Sequence, residues 1–166
     1  SATMINKVFE VIEAKKIFKI SYNKLAIIIH PQSYVHAIIK FKNGITKIVV
    51  HDTNMKIPIF NSLYSSKKII NSKKLDFKIL NNLDFRSVDS IKFPLIKVLK
   101  MLPNNTSLFE TILVSINDKF VELFLSNKMK FTDISKKMNK MLKLYTFRKY
   151  KKIRPKSINE IINLNK

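Results

Sequence analysis

The sequence predicts an α+β fold in which a front part containing an antiparallel hairpin is followed by a connecting arm and a C-terminal helical bundle. Three observations carry that reading. Val35, Ala37, Ile39 and Phe41 alternate with Tyr34, His36 and Lys40, and Asn43-Gly44 separates this run from a second β-branched run over 45–50. Further on, Phe109, Ile112, Leu113, Ile116, Phe120, Leu123 and Phe124 recur at threes and fours, the spacing of one helix face. Between them, residues 64–90 carry Ser, Lys and Asn clusters with brief apolar pieces. The segments expected are therefore 1–62, 63–92 and 93–166.

Taken in order, Ile5, Val8, Phe9, Ile12 and Ile17 predict an amphipathic helix over 5–18. The continuous apolar run 25–29, stopped by Pro31, predicts a buried strand. Asn43-Gly44 supplies the positive φ values of a type I′ turn. That register sets Lys42 opposite Ile45 and, in a ladder without a bulge, His36 opposite His51. Pro94 opens a helical pattern over 95–102 that Pro103 closes. A long buried helix follows from Ser107, and Thr132-Asp133 is expected to cap another that runs through Leu144. Ser157-Ile158-Asn159-Glu160 is a capping-box pattern for the last helix.

Composition excludes several kinds of chemistry. The 166 residues contain no Cys, which removes disulfides, zinc ribbons, iron–sulfur sites and thiol nucleophiles together. Gly44 is the only glycine, so no Gly-rich phosphate cradle exists in this chain. Lys and Arg number 32 against 11 Asp and Glu, a net charge of +21. Such a field attracts polyanions without sequence preference. Arg occurs only at positions 86, 148 and 154, however, and Lys is scattered, so a dedicated base-reading face is not indicated. No run approaches the roughly 18 apolar residues of a membrane span, and a cytoplasmic protein without a membrane partner is expected. The chain opens Ser1-Ala2-Thr3 without Met, as an excised or incomplete product would.

On the first helix, Asn6, Lys7 and Glu10 share an arc of about a third of the circumference. An amide, an ammonium and a carboxylate gathered there are compatible with a solvated face carrying one ion pair, or with a site. The surrounding residues bear on that choice. Ser1-Ala2-Thr3-Met4-Ile5-Asn6-Lys7, then His30-Pro31-Gln32-Ser33, Asn54-Met55-Lys56-Ile57-Pro58, Leu75-Asp76-Phe77 and Lys130-Phe131-Thr132-Asp133 occur in that order. Together they resemble 1-deoxy-D-xylulose 5-phosphate reductoisomerase over nearly the whole chain.

The resemblance implies an NADPH-dependent enzyme of isoprenoid synthesis, which rearranges a phosphorylated sugar on a divalent metal and reduces the product to 2-C-methyl-D-erythritol 4-phosphate. It implies Glu10 as a catalytic carboxylate and ligand of Mg²⁺ or Mn²⁺. Ser1, Asn6, Lys7 and Ser33 would bind substrate, His36 would stand in the active site, and Met55 would touch the cofactor. The family's NADPH domain and Asp-Ser-Glu metal segment would lie upstream of Ser1, leaving the isolated chain inactive. A homodimer through the sheet is also implied.

The chain departs from the family pattern at several points. Val8 replaces a Gly, where its side chain is expected to crowd the substrate residues. His51 and Thr53 replace Gly and Pro, and Ser65 replaces a Trp. Val114-Ser115-Ile116-Asn117-Asp118 stands for Asn-Ala-Ala-Asn-Glu. Two other readings therefore accompany the enzyme: a degenerate remnant serving as a dimerisation or interaction module, and a basic nucleic-acid binder using Tyr145, Phe147 and Tyr150 among the cations of 143–156. His36, His51 and Asp52 could also share a transition metal, against the plainer reading of two hydrogen-bonded sheet histidines.

Overall fold

The computed structural model describes residues 3–65 and 67–165. The chain forms two compact units, one of residues up to Ile27 together with Val88 onward, the other of Ile28–Ser87. No helix among the described residues is long and apolar enough to cross a membrane.

The first unit is helical. Helix α1 spans Ile5–Phe18 as its periodicity dictates, and buries Ile5, Val8 and Val11. Its hydrophobic partners come from far along the sequence. Ile5 and Val8 join Leu95, Val98, Phe109, Leu113, Met138 and Leu142 in one core. The expected helix after Pro94 is a 3₁₀ helix, Pro94–Met101, instead. Its pitch stacks residues three apart on one side, and Leu95 and Val98 are the pair it buries completely. Helix α4, Phe109–Leu125, is the central element and buries Phe109, Ile112, Leu113, Ile116 and Phe120.

Helix α5, Phe131–Met141, starts earlier and ends earlier than expected, and Thr132 and Asp133 do not cap it. The extended residue at the cap is Lys130, so Asp133 falls inside the first turn, where a carboxylate complements the helix dipole. A short helix α6, Tyr145–Arg148, leads into a 3₁₀ turn over Lys149–Lys152.

The last helix, Ile158–Leu164 (designated α7), follows Ser157 as its cap. Ser157 Oγ accepts from the Glu160 amide at 3.1 Å. Glu160 reaches back one residue further than a capping box requires, accepting from the Lys156 amide at 2.6 Å.

The second unit holds the strands. The run 25–29 yields only a two-residue strand β1, Ile28–Ile29, with Ile28 exposed, so the buried strand expected there is not formed. Among the described residues its strand partner is β4, Arg86–Ser87, and His30 turns the chain immediately afterwards, its carbonyl accepting from the Ser33 amide. The hairpin forms from β2, Val35–Lys40, and β3, Thr46–Val50. Its loop differs from the expected one. Gly44 has φ +87° but Asn43 is not in the left-handed region, so the type I′ turn is absent. Phe41 pairs with Ile45 across a three-residue loop, the Phe41 amide donating to the Ile45 carbonyl at 2.8 Å. Lys42 is therefore in the loop and not opposite Ile45. Helix α2, Lys56–Leu63, and helix α3, Phe77–Asn81, complete the unit, the latter capped by the Asp76 carboxylate.

Candidate functional site

In the first unit, Asn6, Lys7 and Glu10 stand on the exposed face of α1, opposite the buried Ile5–Val8–Val11 stripe. Lys7 Nζ contacts both Glu10 oxygens, at 2.7 and 3.0 Å, with the two side chains 47% and 55% exposed. Both groups are thus open to a ligand. Val8 does not crowd them, because its side chain is fully buried in the core. Ser1 lies outside the described residues.

The backbone just before this face is unusual. Met4, at the cap of α1, has φ +61°, a left-handed conformation that costs a non-glycine residue free energy and tends to occur at functional sites. Ser33 shares it, with φ +53°. The other described non-glycine residues with positive φ are Lys19, which caps the C-terminus of α1, and Asn127, just beyond α4. Helix termination accounts for those two. It does not account for Met4 and Ser33, which belong to the Ser-Ala-Thr-Met and His-Pro-Gln-Ser motifs.

A buried carboxylate that sequence reasoning missed ties α1 to α4. Glu110 is 7% exposed. It pairs with Lys16 at 2.6 Å and accepts from the Tyr22 hydroxyl at 3.1 Å. Burial first, then the Glu110 charge and hydrogen bond, raise the Tyr22 pKa above the ordinary tyrosine value. A cavity of about 460 Å³ beside Glu110 is lined by Phe9, Ile12, Val114 and Ile161, and by none of Asn6, Lys7 or Glu10.

In the second unit, Ser33 lies on the segment leading into β2 and His36 is the second residue of that strand, while Met55 stands 66% exposed at the start of α2. The His36–His51 pairing expected without a bulge is corrected. Val35 pairs with Val50 and Ala37 with Val49, so a bulge at His36 breaks the ladder. That extra residue nevertheless brings the two rings together, with centroids 3.6 Å apart and planes 2° from parallel. No group of three metal-ligating side chains forms among the described residues, so the His36–His51–Asp52 metal site is not present. His30 holds its turn, with Nδ1 2.8 Å from the Asp84 carbonyl.

Of the aromatics in 143–156, Phe147 and Tyr150 pack against the helical core, and only Tyr145 is largely exposed. Lys151 Nζ sits 4.9 Å from the Phe109 ring centre, and burial with Arg148 nearby lowers its pKa. Inward aromatics do not make a base-stacking platform.

Comparison with known proteins locates this arrangement. The family model of the DXP reductoisomerase C-terminal domain matches residues 51–166, more than half of the chain. The chain belongs to the DXP reductoisomerase family. A 1-deoxy-D-xylulose 5-phosphate reductoisomerase of Pelagibacter ubique is 58% identical over 166 residues, covering 99% of this chain and 43% of the relative. The reductoisomerase of Zymomonas mobilis in complex with NADPH superposes with a TM-score of 0.80 at 29% identity, over 99% of this chain and 43% of that one. A DOX-P reductoisomerase solved with NADPH, fosmidomycin and magnesium gives a TM-score of 0.83 at 26% identity, over 99% of this chain and 41% of that one. The chain therefore spans less than half the length of these reductoisomerases.

Proposed function

We propose that this chain is the substrate-holding and C-terminal helical part of a cytoplasmic, NADPH-dependent 1-deoxy-D-xylulose 5-phosphate reductoisomerase. The observation that carries the reading is the exposed Asn6–Lys7–Glu10 face following directly on the strained Met4. In this reading 1–62 is the remainder of the catalytic domain, 63–92 the connecting arm and 93–166 the helical domain.

Lys7 offers a point charge to the substrate phosphate, and Asn6, Ser33 and Ser1 supply further polar contacts. To do so, the Lys7 ammonium turns from Glu10 to the phosphate, which leaves both Glu10 oxygens open. Hard divalent cations take oxygen ligands, and a solvent-open carboxylate released by its lysine fits Mg²⁺ or Mn²⁺. Glu10 is one ligand only, since no three-residue metal cluster exists among the described residues. The remaining ligands belong to the Asp-Ser-Glu segment of the family. The cation, when bound, supplies Lewis-acid polarisation of the sugar carbonyl, and NADPH supplies hydride. His36 would border the substrate, and Met55 would give an apolar contact near the cofactor and substrate. The exposed Ile38, Ile39, Ile48 and Val49 of the hairpin offer a second copy its dimer surface.

The test is a chimaera joining this chain to the N-terminal part of the Pelagibacter ubique relative. It should oxidise NADPH only when 1-deoxy-D-xylulose 5-phosphate and a divalent cation are both present. A folded chimaera without that activity overturns the reading.

A further inference from the structure

Two open cavities of the helical unit adjoin along α1. The first, of about 460 Å³ beside Glu110, has predominantly apolar walls, supplied by Phe9 and Ile12 of α1, Val114 of α4, Pro155, and Ile161 and Ile162 of α7. The second, of about 550 Å³, is bordered by Lys15, Lys16 and Lys19 and by no carboxylate. Lys16 and Thr106 line both. An apolar hollow and a cationic one therefore meet at those two side chains.

The charges around them are unevenly matched. Lys16 is paired with the buried Glu110 carboxylate. Lys15 donates to the Asn104 carbonyl, and its Nζ lies 4.4 Å from the centre of the Tyr22 ring. Both partners are neutral, so they hold this ammonium in place without cancelling it. The ion pairs among the described residues include neither Lys15 nor Lys19. The C-terminal end of α1 contributes about half a negative charge, which two unmatched ammoniums outweigh. Of the carboxylates in the apolar cavity, Glu110 is matched by Lys16, and Glu13 is exposed to the screening of solvent.

Small-molecule sites are commonly cavities of about 300–1,000 Å³ whose apolar walls carry a few fixed polar groups at one end. Val114 strengthens that character, since it stands where the family pattern has Asn. We infer that the two cavities together bind a soluble single-chain amphiphile with an anionic head, a phosphate or a carboxylate, its chain in the apolar cavity and its head between Lys15 and Lys19. None of Asn6, Lys7 and Glu10 lines either cavity, so this site is separate from the substrate face and does not rest on the proposed reaction.

Calorimetric titration of the 166-residue chain with octyl phosphate, below its micelle concentration, tests the inference. One molecule should bind per chain, with inorganic phosphate and octanol each at least about tenfold weaker, because each lacks half of the ligand. Lys15→Gln should weaken octyl phosphate about tenfold, as loss of a charge-assisted contact does, with recovery in Lys15→Arg. If Lys15→Gln does not fold, Lys19→Gln is read in its place with the same expectation. Val114→Asn should weaken octyl phosphate about threefold, through a less apolar wall, while leaving inorganic phosphate unchanged.

Four results would overturn the inference. Octylamine or inorganic phosphate binding as tightly as octyl phosphate would show that the head charge or the chain is not read. Affinity unchanged in the lysine variants would place the head elsewhere. Loss of binding in Lys7→Ala would move the ligand to the substrate face. Binding to phosphatidic acid vesicles without binding of free octyl phosphate would make the partner a lipid surface and not a soluble amphiphile.

Discussion

At the scale of single residues, Lys7 separates a functional role from a structural one. Its ion pair with Glu10 is exposed and worth less than about 0.5 kcal/mol to the fold, whereas a charge-assisted phosphate contact is worth about 1.5–3 kcal/mol. Lys7→Ala in the chimaera should therefore raise KM roughly ten- to a hundredfold while leaving thermal unfolding in place. Tyr22 is the opposite case. Its pKa is raised in the folded state, so the stability this group provides is complete below the ordinary tyrosine value of about 10 and is lost as pH rises beyond it. Tyr22→Phe should flatten the alkaline fall in stability, followed by urea denaturation from pH 8 upward. Near neutrality it should cost about 1.5 kcal/mol for the lost bond to Glu110. The Asn6–Lys7–Glu10 face was legible in the sequence because one helix sets it by spacing alone. Glu110 was not, because its burial depends on Lys16 and Tyr22 arriving from another part of the chain.

Among the elements, those governed by a single local period were readable and those governed by partners were not. Helix α1 follows its apolar spacing, and the capping pattern at Ser157 opens α7 where expected. The run 25–29 looked like a buried strand, yet strand length depends on a partner, and β4 offers two residues. The hairpin was legible, but its loop type was not: Asn-Gly also suits a three-residue loop in which the glycine alone takes positive φ. Gly44→Ala meets no steric obstacle, so its cost is purely conformational, about 1 kcal/mol. Equilibrium unfolding of this variant should show that loss. Val8 carries the sharper expectation. Restoring the family's Gly should destabilise the helical unit by about 2–4 kcal/mol, through an empty core site and a glycine inside a helix. If Val8→Gly instead improved substrate affinity without loss of stability, the side chain would be facing the site and not the core.

Over the whole molecule, the core shared by α1 and the C-terminal helices explains how the Asn6–Lys7–Glu10 face is held by packing a hundred residues away. The 166-residue polypeptide by itself should not oxidise NADPH, since its one glycine leaves no phosphate-cradling turn. A coupled assay with 1-deoxy-D-xylulose 5-phosphate checks this directly. Glu10 is proposed to give this chain its part in the metal site, and a Mg²⁺ titration of the chimaera with Glu10→Gln tests that role. Binding measured by calorimetry should weaken at least about tenfold, as expected for loss of an anionic oxygen ligand. NADPH oxidation should fall with it, while the unfolding free energy changes by less than about 0.5 kcal/mol. A Glu10→Gln chimaera that binds Mg²⁺ and turns over like wild type would contradict the account.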